Sequence, residues 1–191
     1  TDAKGRSFTA AYDTLGRRVS RTELEGTSTW TWGSSAAARN IGRLQSKAGL
    51  GYAESLAYDG HGRVSTRTIT TDKSYQYDYT YNSIGELDTL TYPTSPVPSG
   101  QAGSRLRIRY SYGFGTPSLI DDVTLATPRL LWKLNAVSDF DAPTEESLSG
   151  NAITRSSRYD TATQRLTAQQ AGTAGAGMWR SRSPSPWHRA P

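Results

Sequence analysis

Cysteine is absent from the 191 residues, which excludes a disulfide framework and any thiol-based site. Histidine is almost absent too: His61 and His188 are the whole complement, and neither has a second ligand at a metal-site spacing. No metal or cofactor is therefore expected. No apolar run approaches the ~20 residues of a membrane span, so a spanning helix is not expected either. Aliphatic core formers are scarce: Leu, Ile, Val and Phe together make 29 of the 191 residues, below the ~20% at which a chain begins to resemble a disordered one. A catalytic set is missing as well. The serines lie in no nucleophile-elbow context, and the adjacent acids Asp121-Asp122 and Glu145-Glu146 point to opposite faces of an extended chain. Asp139 and Asp141 would share a face only if their segment is extended. No catalytic, cofactor-binding or metal-binding residue is assigned, and the chain is read as non-enzymatic.

What the chain does have is aromatic residues and a returning turn. There are 11 Tyr and 5 Trp. One pattern recurs: Tyr12-Asp13-Thr14-Leu15-Gly16-Arg17, Tyr58-Asp59-Gly60-His61-Gly62-Arg63 and Tyr81-Asn82-Ser83-Ile84-Gly85-Glu86, with a worn copy from Tyr159-Asp160 to Arg165. A looser variant pairs Trp32-Gly33 with Gly42-Arg43-Leu44. Each position has a physical task. The aromatic ends a strand and packs on the neighbouring sheet, Asp or Asn accepts backbone N–H groups to open the turn, and Gly supplies the positive φ that closes it. Arg then begins the return strand. Unit starts at 12, 32, 58 and 81 give a repeat of β-hairpin size.

The runs after the turns, Arg18 to Thr22 and Val64 to Thr70, are rich in β-branched and small polar residues that suit a pleated surface. Tyr75, Tyr77, Tyr79 and Tyr81 alternate with polar residues. Leu106, Ile108, Tyr110 and Tyr112 do the same, with Arg105, Arg107 and Arg109 on the opposite face. The expected fold is all-β: tandem antiparallel hairpins, about six to seven units over 1–171, interrupted by a Pro/Gly loop at 93–103. Gly113-Phe114-Gly115 is too short to cradle a phosphate and reads as a turn. The run from Asp139 reads as a degraded copy of the Asp-x-x-Gly turn. Residues 172–191, an Arg/Ser/Pro/Trp tail without periodicity, are expected to be disordered, and their composition has the look of a shifted reading frame. The chain opens at Thr1 inside a unit with no signal-like segment, as an excerpt or a truncated gene product would.

Charge points to no nucleic-acid partner. The net charge is +5, but three of the excess positive charges, Arg180, Arg182 and Arg189, lie in the last twenty residues. Of the 22 basic residues 18 are Arg, in part because Arg is the repeat's own post-turn residue. A clustered basic face or a nucleic-acid-binding module would be needed for such a role. The line Arg105, Arg107 and Arg109 is expected to find cross-strand carboxylates instead.

These turns, together with Trp30-Thr31-Trp32, the run from Gly51 to Asp59, Leu90-Thr91-Tyr92-Pro93 and Arg158-Tyr159-Asp160, resemble the YD/RHS-repeat proteins over residues 8 to about 172. The resemblance implies a hairpin strip that spirals into a hollow shell. In bacterial members, the Rhs polymorphic toxins and toxin-complex C subunits, that shell encloses a C-terminal toxin; teneurins carry a related shell on animal cell surfaces. It implies neighbouring repeats and an enclosed toxin outside this chain as partners, and a secreted or cell-surface full-length protein. The family's autoproteolytic segment depends on an Asp-Pro-x-Gly run; no Asp-Pro dipeptide occurs here, so no protease residues are carried over. A second reading is a carbohydrate- or surface-binding module with Trp30 and Trp32 as sugar-stacking rings; a third is a non-functional remnant of an Rhs gene.

Overall fold

The computed structural model describes residue 5 and residues 7–95, 103–113, 116–173 and 179–182. The described residues hold fifteen strands and no helix. They fall into two compact units, 1–106 and 107–191. The first carries β1 (Thr9–Tyr12), β2 (Arg18–Glu23), β3 (Gly26–Trp32), β4 (Leu44–Gly49), β5 (Tyr52–Tyr58), β6 (Val64–Thr70), β7 (Ser74–Tyr81), β8 (Leu87–Thr94) and the start of β9 (Arg105–Gly113). The second carries the rest of β9, β10 (Thr116–Asp122), β11 (Arg129–Val137), β12 (Pro143–Leu148), β13 (Ile153–Tyr159), β14 (Leu166–Gly172) and β15 (Trp179–Arg182). In each unit every strand pairs antiparallel with the next in the chain, from β1 to β8 and from β9 to β15. This is the all-β hairpin strip that the turn spacing predicts.

Register sorts the first unit's side chains into two unlike faces. Lys47 faces Glu54, Arg67 faces Tyr77 and Tyr79 faces Leu90, which places the aromatic, aliphatic and long charged residues together. The other face is mostly Thr, Ser and Ala, with Ser46 opposite Ser55, Ala57 opposite Thr66 and Thr80 opposite Thr89, and it also holds Gln76 and Asp78 opposite Thr68 and Thr66. On it the Thr80 and Thr89 hydroxyls bond at 2.7 Å. On the aromatic face Tyr77 and Tyr92 meet edge to face at 6.0 Å. Burial is lateral, between neighbours in one layer, and Val123, 7% exposed, is the one buried apolar side chain among the described residues. Cross-strand pairs therefore carry the stabilisation that a core would supply elsewhere.

Two boundaries differ from the sequence expectation. The Pro/Gly loop expected at 93–103 gives Pro93 and Thr94 to β8, and its centre, 96–102, lies outside the described residues. Pro93 fits there because a strand end has no N–H obligation to a neighbour. Most of the tail expected to lack order at 172–191 also lies outside the described residues. Within it, however, Gly172 ends β14, and Trp179–Arg182 pairs with β14 from Ala168↔Arg182 to Ala171↔Trp179. That pairing uses main-chain groups, which a sheet edge offers to any extended segment whatever its side chains.

Two glycines of one turn separate backbone need from sequence bias. Gly62 has φ +74, and a Cβ there would fall 2.8 Å from Arg43 Nη2. Gly60 has no positive φ, and a Cβ there would meet no atom within 4 Å. Gly62→Ala is expected to lower stability by about 1 kcal/mol or more and Gly60→Ala to leave it unchanged or slightly raised. Urea unfolding of the full chain checks the contrast.

Candidate functional site: the turn edge and the buried carboxylates

The Asp13 and Asp59 turns are closed electrostatic units. Asp13 Oδ1 accepts the N–H groups of Leu15 and Arg17, both at 2.9 Å. Its Oδ2 takes Arg17 Nε and Nη2 at 2.7 Å. The Asp59 turn repeats this with His61 and Arg63 N–H at 2.9 Å and Arg63 Nε at 2.8 Å. Gly16 and Gly62 both close their turns at φ +74. The Asn82 turn reverses the polarity: its Oδ1 still accepts Ile84 and Glu86 N–H, while its Nδ2 donates to Glu86 Oε2 at 2.8 Å. Gly85, at φ +93, closes it. Asp160 caps Ala162 and Thr163, but its turn is one residue longer, closing from Asp160 N–H to Arg165 O with Gln164 at φ 58 in the glycine's place. The degraded copy near Asp139 is also a turn: Ser138 N–H donates to Ala142 O, with Asp141 at φ 60. Asp139 and Asp141 accordingly do not line an extended face.

Each turn is fastened to the next by its aromatic. Tyr12, Trp32, Tyr58, Tyr81 and Tyr159 all sit where the register slips by one residue, and such a bulge re-aims a side chain. The re-aimed ring reaches back one hairpin. Trp32 Nε1 donates to Arg18 O at 2.9 Å, Tyr58 to Leu44 O at 2.5 Å, Tyr81 to Val64 O at 2.8 Å and Tyr159 to Pro143 O at 3.1 Å. The previous turn's arginine lies over the same ring: Arg17 over Trp32 at 5.1 Å, Arg43 over Tyr58 at 5.6 Å, Arg63 over Tyr81 at 4.3 Å. In the second unit Ala142 stands where that arginine would be, and Phe140 packs edge to face on Tyr159 at 5.6 Å instead. Tyr12, in the first described strand, remains 55% exposed.

Trp30 and Trp32 are half-buried and alternate with exposed threonines. Arg18 lies over Trp30 at 5.5 Å, as Arg17 does over Trp32, so both rings already carry a cation. In the first unit the repeat residues from Arg17 to Tyr81 form a ladder from turn to turn, and in the second Tyr159 ties its own turn to the turn at 138–142.

A second set of groups is built on carboxylates, of which the sequence does not single out Glu54 and Asp78 and marks Glu146 and Asp121 only as members of adjacent acid pairs. Glu54, 7% exposed in β5, receives Lys47 Nζ and Arg67 Nε at 2.8 Å, and Tyr52 Oη. Burial pushes its carboxyl up, but the bonds from Lys47, Tyr52 and Arg67 outweigh that and hold it at about 2. Glu146, 3% exposed, takes Trp132 Nε1 at 2.8 Å and Arg155 Nε at 2.5 Å. Asp78 takes Arg105 Nη1 at 2.5 Å, and Asp121 takes Arg109 Nη2 at 3.4 Å. Arg105 and Arg109 thus have the carboxylate partners expected of them, while Arg107 donates to Val123 O at 3.2 Å. The one sequence signal for Glu54 is its place in the period-two row Tyr52, Leu56 and Tyr58, where an acid must be paired to be tolerated. Among the described residues no three His, Asp or Glu side chains are grouped to hold a metal ion, and no helix is long and apolar enough to cross a membrane.

The turn bonds and the buried acids are each open to test. Asn82→Asp sets two carboxylates together across the turn and is expected to cost about 1 kcal/mol, and adding Glu86→Arg is expected to recover it by recreating the Asp–Arg pair. A double-mutant cycle in urea measures the coupling. The depressed folded-state carboxyls of Glu54 and Asp59 contribute stability that is present above their unfolded values, 4.5 and 3.8, and lost as pH falls toward about 2. Melting temperature is expected to drop across that window, with a shallower drop in Glu54→Gln.

No sequence-family model and no curated protein matches the chain. Solved structures do. The chain aligns with one titled "Crystal Structure of TcdB2-TccC3" at TM-score 0.66 and 18% identity, over 86% of this chain and 9% of that one. It aligns with "Crystal Structure of TcdB2-TccC3-Cdc42" at TM-score 0.57 and 15% identity, over 86% and 10%. This chain spans about a tenth of the chains it matches. At such identity the likeness is one of fold: this is a hairpin strip of the kind found within the TcdB2-TccC3 chains.

Proposed function

We propose that the chain is an architectural, non-enzymatic part of an RHS/YD-repeat shell that encloses and helps deliver a C-terminal toxin lying outside this chain. The observation that carries the reading is the first unit's ladder, in which Arg17, Arg43 and Arg63 and the aromatics Trp32, Tyr58 and Tyr81 of the following turns bind successive hairpins. It makes a wall that needs no central core, on a fold shared with TcdB2-TccC3. Repeats of this kind are stabilised by their neighbours, so the direct partners are further repeats of the same shell, and the assembly is a secreted or cell-surface one. Closing such a strip removes its exposed strand edges and screens the contents from outside partners.

Limited proteolysis of the longest reading frame that contains this sequence, with electron microscopy of the product, tests the proposal. The expected result is a hollow particle whose C-terminal domain resists protease, and whose protection is lost in Asp59→Ala/Arg63→Ala. A frame with no further repeats, or a C-terminal domain cut as fast within the particle as outside it, overturns the reading. Saturable glycan-array binding abolished by Trp30→Ala or Trp32→Ala would replace it with the surface-binding one.

A further inference from the structure

The turn from Gly33 to Arg43 keeps the backbone of its sister turns but not their charge balance. Gly33 N–H donates to Arg43 O at 2.8 Å and Gly42 N–H to Gly33 O at 2.9 Å, as Asp13 and Gly16 do in the short turn. The residues between Gly33 and Gly42 are an insertion that leaves this closure intact. Gly33 stands where Asp13 and Asp59 stand in their turns, and it has no room for a carboxylate. A Cβ there would fall 2.3 Å from the Asn40 side-chain carbon. The Asn40 amide, 7% exposed, fills that place and accepts Ser35 N–H at 3.0 Å. A neutral amide has thus replaced the anion that holds Arg17 and Arg63.

Arg43 keeps the other half of the ladder. Its guanidinium lies over Tyr58 and against Gly62, yet among the described residues no carboxylate comes within ion-pair distance of it or of Arg39. Both arginines are exposed. With Ile41, Gly60, His61 and Gly62 they line a concavity of about 350 Å³. Arg63, whose charge Asp59 already balances, donates to His61 Nδ1 at 3.4 Å, which leaves Nε2 as the ring's N–H donor. The rim therefore offers two uncompensated guanidiniums and a ring N–H, beside an isoleucine that is 63% exposed.

We propose that this concavity binds the carboxylate of an acidic side chain, Asp or Glu, on a partner polypeptide. Arg43 is its main donor and Arg39 the second cation. The carboxylate restores the charge pairing that the sister turns make within themselves, and guanidinium matches carboxylate in shape and charge. A polypeptide is favoured over a bare inorganic anion because the exposed Ile41 supplies apolar surface that only an organic partner uses. The site is independent of whether the strip belongs to a closed shell.

The test is a titration of the full 191-residue chain, followed by the arginine Nε–H signals in NMR. The probe is the acetylated, amidated peptide Glu-Leu-Glu-Glu-Leu-Glu; its Gln-for-Glu counterpart and inorganic phosphate at equal ionic strength are run beside it. The expected result is saturable binding of the acidic peptide alone, with the Arg43 signal shifting, and affinity about tenfold weaker in Arg43→Gln. Asn40→Asp, which supplies an internal carboxylate while keeping Arg43, is expected to weaken binding to a similar extent, and Arg158→Gln to leave it unchanged. No saturable binding overturns the proposal, and so does undiminished binding by an Arg43→Gln chain with an unchanged circular dichroism spectrum. Saturation by phosphate and not by peptide overturns the choice of a polypeptide partner.

Discussion

The first unit depends on an arginine shared between two turns. Its guanidinium is held by the aspartate four residues before it and lies over the aromatic ring of the following turn, whose polar tip bonds the strand just after that arginine. One charged group thereby closes its own hairpin and fixes the next one. Neither contact is strong by itself: an exposed ion pair contributes at most about 1 kcal/mol, and a cation–π contact is of similar size. Recurrence at successive turns of the first unit, together with the carbonyl bond from the ring, adds these weak contacts along the strip.

That economy explains how a chain poor in aliphatic residues holds an ordered sheet. A single layer cannot build a core, and only Val123 among the described residues is a buried apolar side chain. The energy is instead spread along strand neighbours: threonine pairs on one face, aromatic and aliphatic contacts on the other, and the buried acids Glu54 and Glu146 tied to cations on adjacent strands. Such acids are tolerated because each is satisfied by two or three donors. The pairing of Glu54 also fixes register, since a slip of one residue would move its carboxylate to the threonine face and leave its cations behind.

Where the repeat departs from its pattern, the physics changes in a local and readable way. Asn82 and Glu86 exchange which partner is the acceptor and keep the turn. Phe140 substitutes ring packing for the missing arginine. The insertion after Gly33 keeps the backbone closure and gives up the carboxylate, which leaves Arg43 bound on one side only. The first two departures keep their turns closed and the third leaves a cation without its carboxylate, so the long turn is a place in the first unit where an outside group has something to add.

The sequence by itself determined the element type and the turns. Alternation over Tyr75 to Tyr81 and the Asp/Asn-x-x-Gly spacing at Asp13, Asp59 and Asn82 are local signals, because a turn needs a side-chain cap and a positive-φ residue at fixed offsets. It also marked the residues of the candidate site, though with another contact than they have: the aromatics read as strand ends packed on a neighbouring sheet, whereas their polar tips bond the preceding hairpin. Three things were decided only by tertiary structure. The bulge at each aromatic, the burial of Glu54 between Lys47 and Arg67, and the strand from Trp179 to Arg182 all depend on which residue lies across a strand boundary. Cross-strand partners are separated by a turn of variable length, and the backbone edge that receives a strand carries no side-chain code, so neither is written in local pattern.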